Sequence, residues 1–355
     1  MLKARSSIRL ADAVSVHQKL CEHMSEHCEV RREDWRSTIT FEYGVAHLEL
    51  LDGTIVVTAS GDDETGLSYV KMSIVYHLRA FAEPQMLDIV WSGDGDVTSV
   101  PAFFREMRVV RTLDVTPRMR RVVLTGEDLG RFAEDGLHVR LIIPPQGREP
   151  IWPWLGADGC PIWPVGEDAL TARIYTIRHL DLDTSEVWID ILRHDGDTTP
   201  GSHFAMTAKP GDRVGMTGPS GRIPKAEQLL LLGDETALPA IARILAALPE
   251  SARARAVIEV AGPEEEQHLA SAAEIKVEWL HRGAAKAGEP TSLADILDAA
   301  KDVDPDVYVW AGCEFSAFKQ LRRRVRSDWK LPRDRHHVVA YWRKGAAGEE
   351  ARADA

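Results

Sequence analysis

Cysteine is scarce in this chain of 355 residues, which has only four. Cys21, Cys28, Cys160 and Cys313 are too few and too scattered for a disulfide framework. No two of them lie within three residues of each other, whereas the cysteines that hold an iron–sulfur cluster commonly do. We therefore expect a reducing, cytoplasmic location and no iron–sulfur cluster.

Long apolar runs are also missing. No stretch approaches the ~18 consecutive apolar residues of a membrane-spanning helix. The first residues, MLKARSSIRLADAV, lack the apolar core of a signal peptide. We expect neither a membrane span nor a signal peptide.

Positive charge is in deficit, because 43 Lys and Arg face 55 Asp and Glu for a net charge of −12. This balance argues against nucleic-acid binding, and it means that an anionic ligand would need a local basic pocket. The remaining composition, 44% hydrophobic and 28% charged, is that of an ordinary globular protein, and the length favours two or three domains.

Residues 1–97 have the pattern of a small α+β domain. The helix-like run ADAVSVHQKLCEHMSEH opens it, and the strand-like STITFEYG and AHLELLDGTIVVTASG follow, with DG as a turn. A second helix is predicted around ETGLSYVKMSIVYHLRAFA. The Gly-, Ser- and Asp-rich SGDGDVTSVP (92–101) then predicts a linker.

Two segments with different residue patterns follow the linker. Residues 102–222 carry short alternating strands divided by Gly and Pro, which favours a barrel or a sandwich, with two ordered Trp-Pro loops at the surface between strands. Residues 223–345 alternate strands with helices, one of them at SLADILDAA, which predicts a doubly wound parallel α/β domain. Residues 346–355 form a polar tail. The expected fold class is multidomain α+β and α/β.

The order of a barrel before a parallel α/β domain is that of flavin reductases, in which the barrel holds the flavin. Within RIYTI, Arg173 suits a flavin pyrophosphate, Tyr175 the ring face and Thr176 the polar ring edge. Regular alternation puts Thr176 on the opposite face from the other two. The alternative is that Arg, Tyr and Thr are simply good strand residues.

Two later segments fit the same interpretation. The run PGSHF places Gly201 and Ser202 at a predicted helix start, where N–H groups point at a phosphate, and TGPSG (217–221) follows as a tight turn. In LLLLGDETALPAI, residues 233–237 follow a buried strand, at the edge where a doubly wound sheet binds ligands. A capped structural helix remains the alternative for this last segment.

Together these residues resemble the siderophore-interacting proteins, which are NAD(P)H-dependent ferric-siderophore reductases of the ferredoxin-reductase-like superfamily. The resemblance runs from about Arg108 to Gly345. It rests on RIYTIR, the D-I-L-R-H strand with PGSHFA after it, TGPSG, GDETALPAI, VWAGCEFSAFKQLRRRVR and YWRKG. The first segment resembles a small domain of unknown function that is fused ahead of such reductases, through KLCEHMSEH, ITFEYG and YHLRAFA.

The resemblance implies an FAD-binding β-barrel and a C-terminal NAD(P)-binding domain, with flavin carrying electrons from NADPH or NADH to Fe(III) in a siderophore. It implies FAD contacts at Arg173, Tyr175, Thr176, His194, Gly201, Ser202, Phe204, Thr217, Gly218 and Trp342. It implies nicotinamide-nucleotide contacts at Gly233, Asp234, Glu235, Thr236, Ala237, Gly312 and Glu314. Basic residues suited to an anionic siderophore are Arg343, Lys344, Arg178 and Arg193. No catalytic side chain and no metal ligand are implied, because the cofactor carries the chemistry.

Two departures and two alternatives accompany this assignment. The Pro200-Gly201 order and Cys313 differ from the family pattern, and we interpret Cys313 as an inert small hydrophobe rather than a reactive thiol. The competing functions are a general flavin or quinone reductase and a non-catalytic iron-chelate carrier or sensor. A monomer is favoured.

The predicted N-terminal helix carries two pairs of potential ligands four residues apart. They are His17 with Cys21 and His23 with His27. Such pairs can ligate a metal or haem. The set wraps around the helix, however, so we favour a structural or docking role.

Overall fold

The structure is a computed structural model that describes residues 1–95, 100–133, 136–194, 199–288 and 306–346. The chain divides into two compact units, each built from two stretches. Unit 1 comprises Met1–Phe104 and Pro145–Leu170, and unit 2 comprises Arg105–Pro144 and Thr171–Ala355. The domain boundaries predicted from the sequence remain predictions, because they rest on changes in residue pattern along the chain and not on packing contacts.

The described strands are β1 Leu2–Arg9, β2 Glu29–Glu33, β3 Arg36–Phe41, β4 Gly44–Leu51, β5 Thr54–Gly61, β6 Ser92–Gly93, β7 Phe104–Asp114, β8 Met119–Thr125, β9 Gly136–Ile143, β10 Trp154–Leu155, β11 Pro161–Ile162, β12 Thr171–Asp181, β13 Glu186–Leu192, β14 Arg213–Arg222, β15 Gln228–Asp234, β16 Arg253–Val260, β17 Glu274–His281, β18 Tyr308–Glu314 and β19 His336–Trp342. The described α-helices are α1 Ala13–Met24, α2 Glu64–Ala82, α3 Pro200–Thr207, α4 Leu238–Ala246 and α5 Phe315–Arg323. None of the described helices is both long and apolar enough to span a membrane.

Unit 1 contains an antiparallel sheet of order β2-β3-β4-β5-β1-β6, on which α1 and α2 pack around one core. The side chains of Asp12 and Asp63 cap the two helices by accepting backbone N–H bonds. Asp52 and Gly53 both have positive φ, which is the geometry of the tight hairpin that DG predicts. The two helices and the hairpin are therefore confirmed.

The expectation that this unit opens with a helix is wrong, because β1 precedes α1 and pairs with both β5 and β6. Only Ala4, Ser6 and Ile8 of β1 are buried, and the residues between them are exposed. The alternation is therefore real but is carried by small and polar side chains, which makes it faint in the sequence.

The Trp-Pro loops belong to unit 1, where β10 and β11 pair as a short hairpin. The indole of Trp91 donates to the Asp158 carbonyl at 2.8 Å, and Arg79 forms an ion pair with the Asp158 carboxylate at 2.7 Å. The turn at Gly159 lies against Lys71 and Trp91. These loops are ordered, as predicted, although Leu155 is buried.

Unit 2 combines a closed barrel of order β12-β13-β8-β7-β14-β9 with a parallel sheet of order β17-β16-β15-β18-β19. Helix α4 packs on one face of the parallel sheet and α5 on the other, so the doubly wound topology and the predicted fold class are confirmed. The chain reverses its direction of strand addition between β15 and β18, whose carboxyl ends are Asp234 and Glu314. The helix predicted at SLADILDAA lies outside the described residues.

Candidate functional site

A cleft of about 280 Å³ in unit 2 is lined by β12, the start of α3, the segment that follows β15 and the end of β19. Its walls thus come from both the barrel and the parallel sheet. The guanidinium of Arg243, on α4, donates to the Ile177 carbonyl on β12 at 2.9 Å, and burial lowers the pKa of Arg243 to about 10. This bond fixes α4 to the barrel beside the cleft.

The three residues of RIYTI singled out from the sequence all line this cleft. The guanidinium of Arg173 donates to the Ala172 carbonyl at 2.8 Å and is half-buried. Burial raises the pKa of Tyr175 to about 12, although the nearby Arg173 lowers it, so the phenol stays protonated. The Thr176 hydroxyl lies 3.3 Å from Nδ1 of His138, and a bulge interrupts β12 directly after it, between Ile177 and His179. Because the register with β9 is regular up to Thr176, the bulge does not alter its face, and Thr176 lines the cleft from the opposite face to Arg173 and Tyr175.

The start of α3 forms the opposite wall. Pro200 occupies the first turn, and the N-cap Thr199 makes no side-chain capping bond. Its hydroxyl is buried without a hydrogen-bond partner among the described residues. The first N–H groups of a helix have no intrahelical acceptor, so this end can receive an anion.

Gly201 is required by the close approach of β12. A Cβ atom at this position would lie 1.6 Å from the Tyr175 hydroxyl oxygen. Ser202 is buried, and its hydroxyl accepts the His194 N–H at 3.1 Å, which joins α3 to the end of β13. An unpartnered buried hydroxyl, a helix N-terminus and an Arg head together form a donor set for a phosphate or pyrophosphate.

His138 and Tyr341 also line the cleft, and the sequence did not single them out. The Tyr341 hydroxyl lies 3.0 Å from Nε2 of His138, whose other ring nitrogen faces Thr176. The two residues lie about two hundred positions apart in the chain, so no local sequence pattern predicts their contact. The one local signal is the alternation of polar and apolar residues in LHVRLII, which places His138 on a strand with core residues.

At the switch point between β15 and β18, four donors surround the Asp234 carboxylate. One oxygen accepts the Trp342 indole N–H at 2.8 Å and the Glu314 N–H at 3.1 Å. The other accepts the Thr236 N–H at 2.9 Å and its hydroxyl. Burial and the charge of Glu235 outweigh these bonds and raise the pKa of Asp234 to about 6.

The Glu235 carboxylate is committed to a buried ion pair. Arg282, at the end of β17, donates to it through both terminal nitrogens, one at 2.7 Å. Glu235 and Thr236 line the cleft, and Glu314 lines a small adjoining pocket together with Trp342. The sequence missed Arg282, because the pair joins segments of different strands.

Several predicted contact residues lie beside the cleft, not among its described lining residues. Phe204 is part of the barrel core, and Thr217 and Gly218 belong to β14. Gly233 and Gly312 allow close packing, since a Cβ on either would lie about 3 Å from the Ala237 side chain. Their assigned cofactor contacts remain predictions.

The basic residues proposed for substrate have other neighbours. Arg343 stacks on the Phe315 ring at 4.5 Å, and the Lys344 N–H donates to Glu314 at 3.3 Å. Arg178 lies 3.9 Å from the buried Asp190, and Arg193 donates to the Pro117 carbonyl at 3.3 Å. Arg343 and Lys344 directly follow Trp342, which does line the cleft.

Cys313 is buried at the end of β18, and burial raises the pKa of its thiol well above the ordinary value. A thiol that resists ionisation is a poor nucleophile. This environment supports the inert interpretation.

Comparison with known proteins finds three family models that match successive segments of the chain. Residues 108–223 match the profile described as siderophore-interacting FAD-binding domain, and residues 226–345 match siderophore-interacting protein. Residues 5–92 match an uncharacterized protein conserved in bacteria, DUF2218. The predicted resemblance is thereby confirmed for all three segments.

Individual relatives agree. The ferric vibriobactin reductase ViuB of Vibrio cholerae is 29% identical over 258 residues, covering 70% of this chain and 92% of that protein. The NADPH-dependent ferric-chelate reductase of Escherichia coli is 29% identical over 247 residues, covering 67% and 92%. The crystal structure of a siderophore utilization protein from T. fusca is 34% identical with a TM-score of 0.59, covering 70% of this chain and 97% of that one. The chain belongs to the siderophore-interacting protein family, and its barrel is that family's FAD-binding domain.

Proposed function

We propose that the chain is a cytoplasmic, FAD-dependent NAD(P)H ferric-siderophore reductase that releases iron as Fe(II). The observation that carries this is a cleft of unit 2 in which β12 and the start of α3, suited to a phosphate, face the switch point of the parallel sheet. Flavin and nucleotide sites that meet in this way let one cofactor be reduced by the other. The names of the relatives support the same reaction.

The residues present fit FAD. When bound, FAD accepts a hydride from a nicotinamide and delivers single electrons to iron. Arg173 and the α3 N-terminus would hold the pyrophosphate, where the unpartnered Thr199 hydroxyl gains an acceptor. Tyr175 supplies an aromatic face and a protonated hydroxyl, and the Thr176–His138–Tyr341 chain supplies polar contacts at the cleft wall.

The nucleotide site is assigned to the carboxyl ends of β15 and β18. Thr236 and Glu314 would lie beside the ribose and amide groups there, while Asp234 holds the Trp342 indole in place. Either NADPH or NADH is compatible with these residues. The carboxylates of Asp234, Glu235 and Glu314 are engaged within the protein, so their part is to position the neighbouring groups.

The substrate side is assigned to Arg343 and Lys344, with Arg178 and Arg193 as further candidates. An anionic ferric chelate needs local positive charge, because the chain as a whole is acidic at −12. Fe(II) binds hard anionic oxygen ligands more weakly than Fe(III), so reduction loosens the siderophore. Free thiols at the four cysteines suit a reducing compartment, and we propose a monomer.

The site assignment is tested by flavin retention. Arg173→Ala and Tyr175→Ala should each lower the amount of FAD that copurifies by at least about tenfold, given charge-assisted bonds worth ~1.5–3 kcal/mol. Arg253→Ala is the matched control, since this exposed arginine on β16 pairs with the exposed Glu274 at 3.0 Å. Full retention of FAD in both cleft variants would overturn the assignment.

The substrate class is tested by stopped-flow reoxidation. The NADPH-reduced protein should be reoxidised by a ferric siderophore much faster than by a quinone. Faster reoxidation by the quinone would favour the general flavin or quinone reductase. A protein that neither holds nor accepts FAD would favour the non-catalytic carrier.

A further inference from the structure

The end of α1 carries a cluster of imidazole and carboxylate groups that the proposed reductase does not use. One potential ligand atom from each of His23, Glu26 and His27 lies within 4.8 Å of the other two. His23 is half-buried, and the other two are exposed. The cluster lies entirely within unit 1.

Local backbone geometry brings these three side chains together. The helix proper ends at Met24, but turn-like bonds continue it, since the N–H of Glu26 donates to the His23 carbonyl and that of His27 to the Met24 carbonyl. Positions three and four apart on such a turn share a face. The carbonyl end of a helix also favours a cation.

A third histidine approaches from α2. The rings of His77 and His23 have centroids 4.8 Å apart. Nδ1 of His77 lies 2.7 Å from the Ser73 carbonyl, and a carbonyl only accepts, so this nitrogen carries the proton. In the neutral ring Nε2 is then left with a lone pair, as in histidines oriented to bind metal. Phe81 packs beside both rings and shields one side.

The other pair on α1 is different in kind. His17 and Cys21 are buried, and both contact the Ser37 hydroxyl, at 2.9 and 3.4 Å. Burial raises the pKa of Cys21 and lowers that of His17. This pair is part of the core, which agrees with the structural role expected for it.

We propose that His23, Glu26 and His27, with His77 beside them, bind a divalent first-row transition-metal cation, and that Fe(II) is the ion they take. Two ligand atoms that each lie ~2.1 Å from one ion are about 3 to 3.4 Å apart at octahedral or tetrahedral angles, so these side chains need to close by less than about 2 Å. Two or three imidazoles with one carboxylate suit Fe(II) and Zn(II), whereas Mg²⁺ and Ca²⁺ prefer all-oxygen sites.

The choice of Fe(II) rests on the proposed function. Reduction of Fe(III) to Fe(II) lowers the affinity of hard oxygen ligands for iron, so the reductase yields an aqueous Fe(II) ion. Imidazole is a ligand that binds this ion. A site on the same polypeptide raises the local chance of capture through its effective concentration. The metal site itself is independent of that link, because its ligands lie in unit 1.

Metal binding is tested on the full-length, oxidised protein without any nucleotide, so that a failure of reductase activity does not affect the result. Anaerobic titration with Fe(II), and with Co(II) as a spectroscopic probe, should show one site. His27→Ala and Glu26→Gln should each weaken it by at least about tenfold. His47→Ala is the matched control, an exposed histidine on β4 that bonds only Thr38 among the described contacts.

The outcomes separate cleanly. One equivalent of Fe(II) bound by the wild type and by His47→Ala, but weakly by the two cluster variants, supports the proposal. Equal binding by the wild type and His27→Ala, or no binding at all, overturns it. Binding of Zn(II) or Co(II) at this site without any binding of Fe(II) overturns the Fe(II) assignment.

Discussion

At the residue scale, the contact between Gly201 and Tyr175 defines how closely α3 approaches β12. The Tyr175 hydroxyl occupies the place where any side chain at position 201 would begin. Glycine is therefore needed here for close approach and not for an unusual φ. The same contact holds the phenol over the helix start that we assign to the pyrophosphate.

Gly201→Ala should destabilise the protein by about 1–3 kcal/mol through overpacking and should lower FAD retention. In a Tyr175→Phe background the cost should shrink, because the nearest atom, the hydroxyl, is gone. Denaturant titration of the four proteins measures the coupling. Gly130→Ala is the control, since a Cβ there meets nothing within 4 Å. Equal costs in the two backgrounds would show that the hydroxyl is not the obstacle.

A second residue-scale prediction concerns Asp234, whose pKa is raised to about 6 from 3.8, chiefly by burial and then by Glu235. The folded protein then binds this proton more tightly than the unfolded chain. The stabilisation is fully present below about pH 4 and is lost as the pH rises through about 6. Relative to Asp234→Asn, which does not titrate, the wild type should lose about 2 kcal/mol of stability between pH 4 and 7.

The measurement is the free energy of unfolding of both proteins at several pH values. A difference between them that stays constant with pH, or that grows in favour of the wild type as pH rises, would contradict the raised pKa.

At the element scale, the pairing of β9 with β12 shows where unit 1 interrupts the barrel. Ile143 pairs with Thr171, so residues 144–170 are an insertion at the end of an antiparallel hairpin. The inserted segment packs with the N-terminal stretch through Trp91, Lys71 and Arg79. A cut at residue 97 removes these partners and leaves the insertion behind.

We predict that deletion of residues 1–97 makes the segment 145–170 at least about tenfold more sensitive to protease, because its ordering contacts are lost. Deletion of residues 1–104 together with replacement of 144–170 by Asn-Gly should give a protease-resistant, cooperatively folding unit 2. Limited proteolysis with mass spectrometry compares the two. Equal resistance of 145–170 in the full chain and in the simple truncation would refute the grouping.

Local signals explain which elements could be predicted. The β12 motif, the DG hairpin and the strand–GDET–helix unit are encoded by neighbours in sequence, and the structure has each of them where expected. The contacts of His138 with Tyr341 and of Glu235 with Arg282 depend on which strands become neighbours, which no local window contains. The sequence analysis missed strand β1 and the packing of residues 145–170 for the same reason, because their partners lie far away in the chain.

At the scale of the whole molecule, the proposed function depends on a barrel and a parallel sheet that together line one cleft. The barrel contributes the cleft wall that we assign to the pyrophosphate, and the parallel sheet contributes its switch point, within one compact unit. Unit 1 adds the histidine cluster proposed to hold Fe(II). No protein nucleophile is required, because the bound cofactor carries the electrons and the side chains hold and orient it.

The most direct test of this account is an anaerobic single turnover. The purified protein, loaded with FAD, is mixed with one equivalent of NADPH or NADH, and then with a ferric siderophore and a chromogenic Fe(II) chelator. We predict bleaching of the flavin absorbance, its return on addition of the siderophore, and two Fe(II) for each nicotinamide oxidised, because a hydride carries two electrons. A protein that does not take up FAD, or one that oxidises the nicotinamide without forming Fe(II), would contradict the account.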